Sequence, residues 1–265
     1  MKTKHEILTA LAHSGEEKIL LASLLDKEQT CDARGYLTST RFLSMSERAL
    51  CTEAVHQAGA TGHAVFWGGY EDAERGLYLF YPDYMDAESA KLSAPLALLR
   101  AHKSRSDTLT HRDYLGALMG LQLDRSMVGD ILVHEEGADI IVHEDAAEFI
   151  LMHFGKAGRK NISLTREELS GLKCAVTVEK RGSGSVASPR LDSVASLVFN
   201  LPRRDAQLRI EKGLVFVNNA PCLKPERQIH EGDRITVRGM GRAQIESFSG
   251  TSRKGRIFLD YVRNM

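Results

Sequence analysis

"RLDSVASLVFNLPRRDAQLRIEKGLVFVNNAPCLKPERQIHEGDRITVRG", residues 190–239, decides the architecture of the C-terminal third of the chain. Leu191, Val194, Leu197 and Val198 recur at helical spacing and predict one amphipathic helix. Pro202 suits the first position of a second helix and Gly213 its left-handed stop, which predicts a helix over about 203–212. "LVFVNN" then predicts a strand ending in a tight Asn218-Asn219 turn. "DRITVRG" predicts a strand with Ile235 and Val237 inward and Arg234, Thr236 and Arg238 outward. The expected order is helix, helix, small sheet.

Two arginines, Arg203 and Arg204, open the second helix, where the partial positive charge of a helix N-terminus makes each unfavourable by roughly 0.3 kcal/mol. A module of roughly 50–60 residues has little stability to spare, so a ligand explains these charges better than folding does. Phosphate fits: the free N–H groups of a helix start attract anions, and Arg190 begins the neighbouring helix. Three guanidinium groups are therefore expected to converge on a nucleic-acid backbone. The local alternative is that Asp205 neutralises one arginine. Formal net charge is zero, but it is unevenly spread: residues 181–265 hold 15 Lys+Arg against 8 Asp+Glu (+7), and residues 1–180 hold 20 against 27 (−7). A basic module on an acidic body is the footprint of a phosphate-binding domain, although a solvated basic tail gives the same count.

The 265 residues, 43% of them hydrophobic, suffice for two or three compact domains. No apolar run approaches the ~20 residues that span a bilayer, and "MKTKHEILTALAHSGEEK" lacks a signal peptide's apolar block, so a cytoplasmic location is expected. Cys31, Cys51, Cys174 and Cys222 stand singly and read as reduced, space-filling thiols. Residues 5–59 read as helices, with Ser46 as a cap and Gly59 as a stop. From "HAVFWGGYEDAERGLYLFYPDY" onward the elements alternate. The expected series is a strand over 77–81, a helix around 86–91, a strand over 96–102, a helix over 111–120, strands over 130–134 and 139–143, and a helix over 144–154. "EKRGSGSVASPR", Glu179 to Arg190, reads as a Gly/Ser-rich linker. The expected fold class is α+β multidomain: a helical unit over 1–70, a small α+β domain over 71–180, and the basic module over 183–265.

Most candidate chemistry fails on spacing. The H-E-x-x-H zinc pattern would need histidine at Ala138 or Ala147, so "LVHEEGADIIVHEDA" reads as a hairpin with His134 and His143 at its ends. "FGKAGRKN" is not a Walker loop, "GSGSVAS" lacks the strand that precedes a dinucleotide fingerprint, and "GTSRKG" matches no catalytic pattern; no cofactor or metal is expected. In "DTLTHRDYLGALMGLQLDRSMVGDILV", Thr110 with Asp113 reads as a capping box, and Tyr114, Leu115, Leu118 and Met119 as a core stripe. His111, Arg112 and Arg125 stand near helix starts, where they serve either a phosphate or only solvent.

"RLD", the later Arg203, "GLVFVN" and "EGDRITVRG" resemble the S4 RNA-binding domain over about fifty residues. Arg190, Leu191, Asp192, Arg203, Ala206, Ile210, Gly213, Val215, Val217, Asn218, Gly232, Asp233, Ile235 and Val237 fall on that motif. Pro202, Arg209 and Asn219 depart from its usual Ser/Thr, Leu and Gly; Arg209 puts the packing of its helix face in question. "GGYEDAER", "LTHRDYLGALMGLQLDRSMVGDILV", "RGMGR" and "KGRI" resemble the bacterial YlmH (RqcP) family from about residue 68 onward. The resemblance implies an N-terminal helical region, an RRM-like RNA-binding middle domain and a C-terminal S4 domain with an extension. It also implies a non-enzymatic role in ribosome-associated quality control, on large subunits carrying a stalled peptidyl-tRNA. The implied partners are ribosomal RNA, tRNA and a tailing factor, with no membrane and no small-molecule substrate. By motif position Arg190 and Arg203 are the expected RNA contacts, with Arg204, Lys212 and Arg238 as neighbours by charge and geometry. The competing readings are an RNA-modifying enzyme of the pseudouridine synthase type, with Asp113 as its aspartate, and a cell-division-linked regulator acting through protein contacts.

Overall fold

The computed structural model describes residues 2–71, 73–173, 179–251 and 255–264, in two compact units, Met1–Ala175 and Val176–Met265. The first unit opens with helices α1 (Lys4–Leu11), α2 (Gly15–Arg34) and α3 (Met45–Ala58). Their starts are fixed by side-chain caps: Thr3 and Glu6 form a capping box at α1, Ser14 caps α2, and Ser44 with Glu47 boxes α3. The α3 cap is thus Ser44, not Ser46. Strands β1 (Thr38–Ser39), β2 (Ala64–Trp67) and β3 (Leu77–Phe80) form an antiparallel sheet in the order β1-β3-β2. Every residue of β3 is buried because both faces are covered. Tyr78 and Phe80 pack with Leu21, Leu24, Cys51 and Val55 of the helices, whereas Leu77 and Leu79 point the other way.

After α4 (Ala87–Leu92), the chain runs β4 (Leu96–His102), α5 (His111–Gly120), β5 (Val128–His134), β6 (Gly137–His143), α6 (Glu144–His153), the small hairpin β7 (Lys156–Ala157) and β8 (Lys160–Asn161), and β9 (Ser163–Glu167). The sheet order β5-β6-β4-β9, antiparallel throughout, with one helix after β4 and one after β6, is the βαββαβ ferredoxin-like arrangement that RRM domains share. Ala97, Leu99, Ile140 and Val142 alternate onto the helix side and pack with Tyr114, Leu118, Ala147 and Ile150. Leu96, Leu98 and Ile141 alternate onto the opposite side, where Phe42, Leu77 and Leu79 cover them. Beyond that apolar contact, buried Asp139 accepts a bidentate pair from Arg100 (2.7 and 2.9 Å) and the backbone N–H of Lys173 (2.6 Å).

In the "GGYEDAER" segment, Tyr70, Glu74 and Arg75 have structural roles, while Asp72 lies outside the described residues. Asp130 of β5 accepts from the Tyr70 hydroxyl (2.8 Å) and from the backbone N–H groups of Glu74 (2.7 Å) and Arg75 (3.1 Å). The Arg75 guanidinium donates to the carbonyls of Val128, Phe42 and Arg125.

The second unit contains β10 (Glu179–Val186), α7 (Leu191–Val198), α8 (Arg203–Glu211), β11 (Val215–Val217), β12 (Ala220–Pro221), β13 (Arg234–Val237), β14 (Gly241–Thr251) and β15 (Ile257–Asn264). The strands form one antiparallel sheet in the order β10-β15-β14-β13-β11-β12, and Leu191, Val194, Val198, Ala206 and Ile210 of the helices pack on Val215, Ile235, Val237, Ile245 and Leu259. Residues Glu179–Val186 of the expected linker are in fact β10, paired with β15 from Glu179↔Asn264 to Val186↔Ile257. Its glycines are spatial requirements: a Cβ on Gly182 would lie 2.5 Å from the Tyr261 ring, and one on Gly184 2.7 Å from Leu197. Gly182, Gly184 and Val186 share the inner face, and that face is closed by neighbours. The Asn218-Asn219 turn has both residues left-handed (φ 53° and 66°), as a two-residue hairpin requires. Pro202 is the N-cap of α8 rather than its first residue. Thr236 lies opposite Ile235 and Val237, as expected, but is buried between Phe216 and Arg242 on the flanking strands.

Cys31, Cys51 and Cys222 are free and buried; Cys174, and residues 252–254 of "GTSRKG", lie outside the described residues. Among the described residues no helix is long and apolar enough to cross a membrane, and no His, Cys, Asp or Glu cluster is arranged to hold a metal ion.

Candidate nucleic-acid interface

Helices α7 and α8 meet through a four-residue turn, held by Ser196 donating through its hydroxyl to the Leu201 carbonyl (2.6 Å) and by Asn200 in a left-handed conformation (φ 52°). The start of α7 is pinned from the side: Leu191 N–H donates to Arg227 O (2.8 Å), and Asp192 N–H to Pro225 O (3.0 Å). This places the Asp192 side chain in the crevice between the two helix starts, fully buried.

Arg190 and Arg203 converge there. Arg190 donates through Nε to Asp192 Oδ1 (3.2 Å) and through Nη2 to Oδ2 (3.3 Å); Arg203 donates through Nε (3.1 Å) and Nη2 (3.0 Å) to Oδ2. Gln207, one helical turn after Arg203 and so on the same face of α8, adds a bond at 2.8 Å. Burial pushes the Asp192 carboxyl up, but hydrogen bonds from Arg190, Gln207 and Arg203 outweigh it and hold the group at about 2. The carboxylate that balances the arginines is therefore Asp192 and not Asp205, and folding gives these charges part of their reason. It does not hide them: the side chains of Arg190 and Arg203 are 35% and 51% exposed, against 0% for Asp192. One buried negative charge thus holds two guanidinium groups side by side with their outer edges toward solvent.

The other expected contacts fall into two places. Arg204 is exposed beside Arg203, about 100° further around α8. Lys212 caps the C-terminal end of α8, about 13 Å along the axis from Arg203. Arg238 stands near it, because its N–H donates to Leu214 O (2.9 Å). Both are exposed. Arg209 lies outside the core formed by Ala206 and Ile210 and occupies the last turn of α8, where a cation is favourable, so this departure leaves the packing intact. Asp192 falls on the S4 motif and Gln207 outside it, and neither role is evident from that pattern alone. An acid two residues after Arg190, followed by Arg203 and Gln207 four apart, was the available signal.

In the first unit Arg125 is half-buried and engaged by the backbone. Its guanidinium bonds the carbonyls of Val128 and Gly129, and burial, with Arg75 nearby, lowers its pKa to about 10. Asp113 accepts from the Thr110 N–H (2.8 Å) and hydroxyl (2.7 Å), and these bonds lower its carboxyl pKa. His143 caps α6, accepting at Nδ1 from Asp145 N–H (3.3 Å), while His134 Nε2 lies 3.3 Å from Asp139.

Residues 98–171 match the domain family described as "Putative RNA-binding domain in YlmH", and residues 189–235 match the S4 domain. The chain is 30% identical over 249 residues to the ribosome-associated protein quality control protein P2 of Bacillus subtilis (strain 168), covering 94% of this chain and 95% of that relative. Among solved structures, the cell division protein ylmH from Streptococcus pneumoniae is similar at 24% identity and a TM-score of 0.48, over 60% of this chain and 95% of that one. Both matched domains are of RNA-binding families, and neither description names a catalytic activity.

Proposed function

This chain belongs to the YlmH family, and on that premise we propose that it is a non-enzymatic protein that grips structured RNA of the large ribosomal subunit, together with tRNA, during quality control of stalled translation. The observation that carries the reading is the paired guanidinium edge of Arg190 and Arg203, aligned on buried Asp192 at the start of the S4 helices. Both arginines use Nε and Nη2 on Asp192, which leaves their Nη1 sides to meet phosphate oxygens, and the carboxylate behind them holds them in place before RNA arrives. Arg204 extends the edge, and Lys212 with Arg238 offers a second cationic point at the far end of α8. A surface read by shape and phosphate charge fits A-form RNA, whose deep major groove excludes side chains.

The role of Asp113 as a helix cap, with Oδ2 accepting both bonds from Thr110, supports a binder over a modifying enzyme. The partners proposed are ribosomal RNA, tRNA and a tailing factor in the cytoplasm, by extension from the quality-control relative. Purifying the tagged chain after induced translational stalling tests this. Free large subunits with tRNA are the expected co-purifying species, and a protein complex lacking RNA would overturn it.

A further inference from the structure

We infer that the ferredoxin-like domain meets RNA through one cationic end and not through its sheet, an inference that rests on the RNA-binding reading above. Domains of this topology that bind single strands stack bases on aromatic side chains across the helix-free sheet face. Here β4, β5, β6 and β9 contain no Phe, Tyr or Trp, and their histidines on that face are engaged: His102 Nε2 lies 2.9 Å from Thr165 Oγ1, His134 Nε2 3.3 Å from Asp139, and His143 caps α6. One end of that face is sealed by Phe42, Leu77 and Leu79 over Leu96, Leu98 and Ile141. The other end is closed by the 169–173 segment, whose Gly171 carbonyl accepts from Arg100 (2.6 Å) while the Lys173 N–H donates to Asp139. The platform is unavailable.

The cations gather elsewhere. Lys103 and Arg105 follow β4, Arg112 lies in the first turn of α5, and Lys156, Arg159 and Lys160 lie on the β7-β8 hairpin. The hairpin packs against α5: a Cβ on Gly158, at its turn, would lie 3.1 Å from Asp113 Oδ1, and Lys160 Nζ pairs with Asp107 at 2.7 Å. Four carboxylates stand at this end: Asp107 pairs with Lys160, Glu136, whose carbonyl accepts from the Lys103 N–H (3.1 Å), pairs with Lys173, Asp113 accepts from Thr110, and Glu135 precedes Glu136 in the β5-β6 turn. With Lys173, seven cations stand against these four acids, a local excess of positive charge on a segment, residues 1–180, whose net charge is −7. Three residues before Lys156, His153 stacks on Phe149 (centroids 4.4 Å apart, 25° between planes), and Phe149 is 42% exposed. A flat exposed ring beside phosphate-binding cations suits an unpaired base. The partner is therefore RNA in which a duplex gives way to a single-stranded segment.

The test uses the full chain with Arg112→Ala, Lys156→Ala and Arg159→Ala, beside a second variant carrying Arg190→Ala, Arg203→Ala and Asp192→Asn. Each is titrated at several salt concentrations against a labelled RNA duplex of about 16 bp with a single-stranded tail, and against purified large ribosomal subunits. Retention of fold is checked by Trp67 fluorescence for the first variant. The expected result is a log K versus log[salt] slope shallower by about 2–3 for the first variant, with a tenfold or greater loss of affinity for both targets. Phe149→Ala is expected to weaken the tailed duplex and leave a blunt one unchanged. Unchanged slope and affinity in the first variant, while the second loses its own, would confine RNA contact to the S4 unit and overturn the inference. Loss on subunits with unaltered duplex binding would make this end a protein-docking face and overturn it too. No change in either variant on either target would remove the RNA reading itself.

Discussion

Replacing Asp192 by Asn keeps the shape of the side chain and removes the one charge on which Arg190, Arg203 and Gln207 converge. The depression of its carboxyl pKa from 3.8 to about 2 corresponds to about 2 kcal/mol of folding stability at neutral pH. For a unit of this size, a loss of that order lowers the melting temperature by roughly 10 °C. Because the folded pKa lies below the unfolded one, the stabilisation is complete above about pH 4 and disappears as pH falls through about 2. The chain's one tryptophan, Trp67, lies in the first unit, so hydrogen exchange at the amides of α7 and α8, which reads the second unit directly, is the suitable assay. Exchange from these helices should accelerate roughly thirtyfold in the variant at pH 7, and the gap from wild type should narrow as acid is added. Equal protection in the two proteins at pH 7, or a gap equally wide at about pH 2.5, would refute the assignment of Asp192 as an ionised anchor.

Gly182→Leu should destabilise the second unit by about 1–3 kcal/mol, because the side chain must displace the Tyr261 ring; a melting temperature equal to wild type would return this segment to a linker. Asp113→Ala should cost about 1 kcal/mol through loss of the α5 cap and leave the modification pattern of cellular RNA unchanged, as read by mass spectrometry. Burial pushes the Cys51 thiol up to about 12, so alkylation at pH 8 should proceed only as fast as the first unit unfolds, which a denaturant series on the labelling rate would show.

The elements legible in the sequence are those whose pattern is local. Leu191, Val194 and Val198 announced α7 by their spacing, Gly213 closed α8, and "LVHEEGADIIVHEDA" gave the β5-β6 hairpin. The strand over Glu179–Val186 was unreadable because glycine and serine look like flexibility when the ring and the leucine that fill the space above them come from Tyr261 and Leu197. The β14-β15 hairpin escaped because register shifts at Ile245/Ser247 and Ser249/Thr251 break the two-residue period. At the candidate site, the arginines were visible as charges in the wrong place for a helix start. Their shared carboxylate was not, since it comes from the preceding helix and only the turn at Asn200 brings the two starts together.

The measurement that bears most directly on the S4 surface is the salt dependence of binding to purified large subunits, for wild type and for the chain with Arg190→Ala and Arg203→Ala, carrying Asp192→Asn so that no carboxylate is left buried alone. If the two guanidinium groups meet phosphate, the slope of log K against log[salt] falls by about 2, one for each lost contact, and affinity drops at every salt concentration below about 0.2 M. Parallel lines with equal affinity would show that these arginines serve only the packing of α7 against α8.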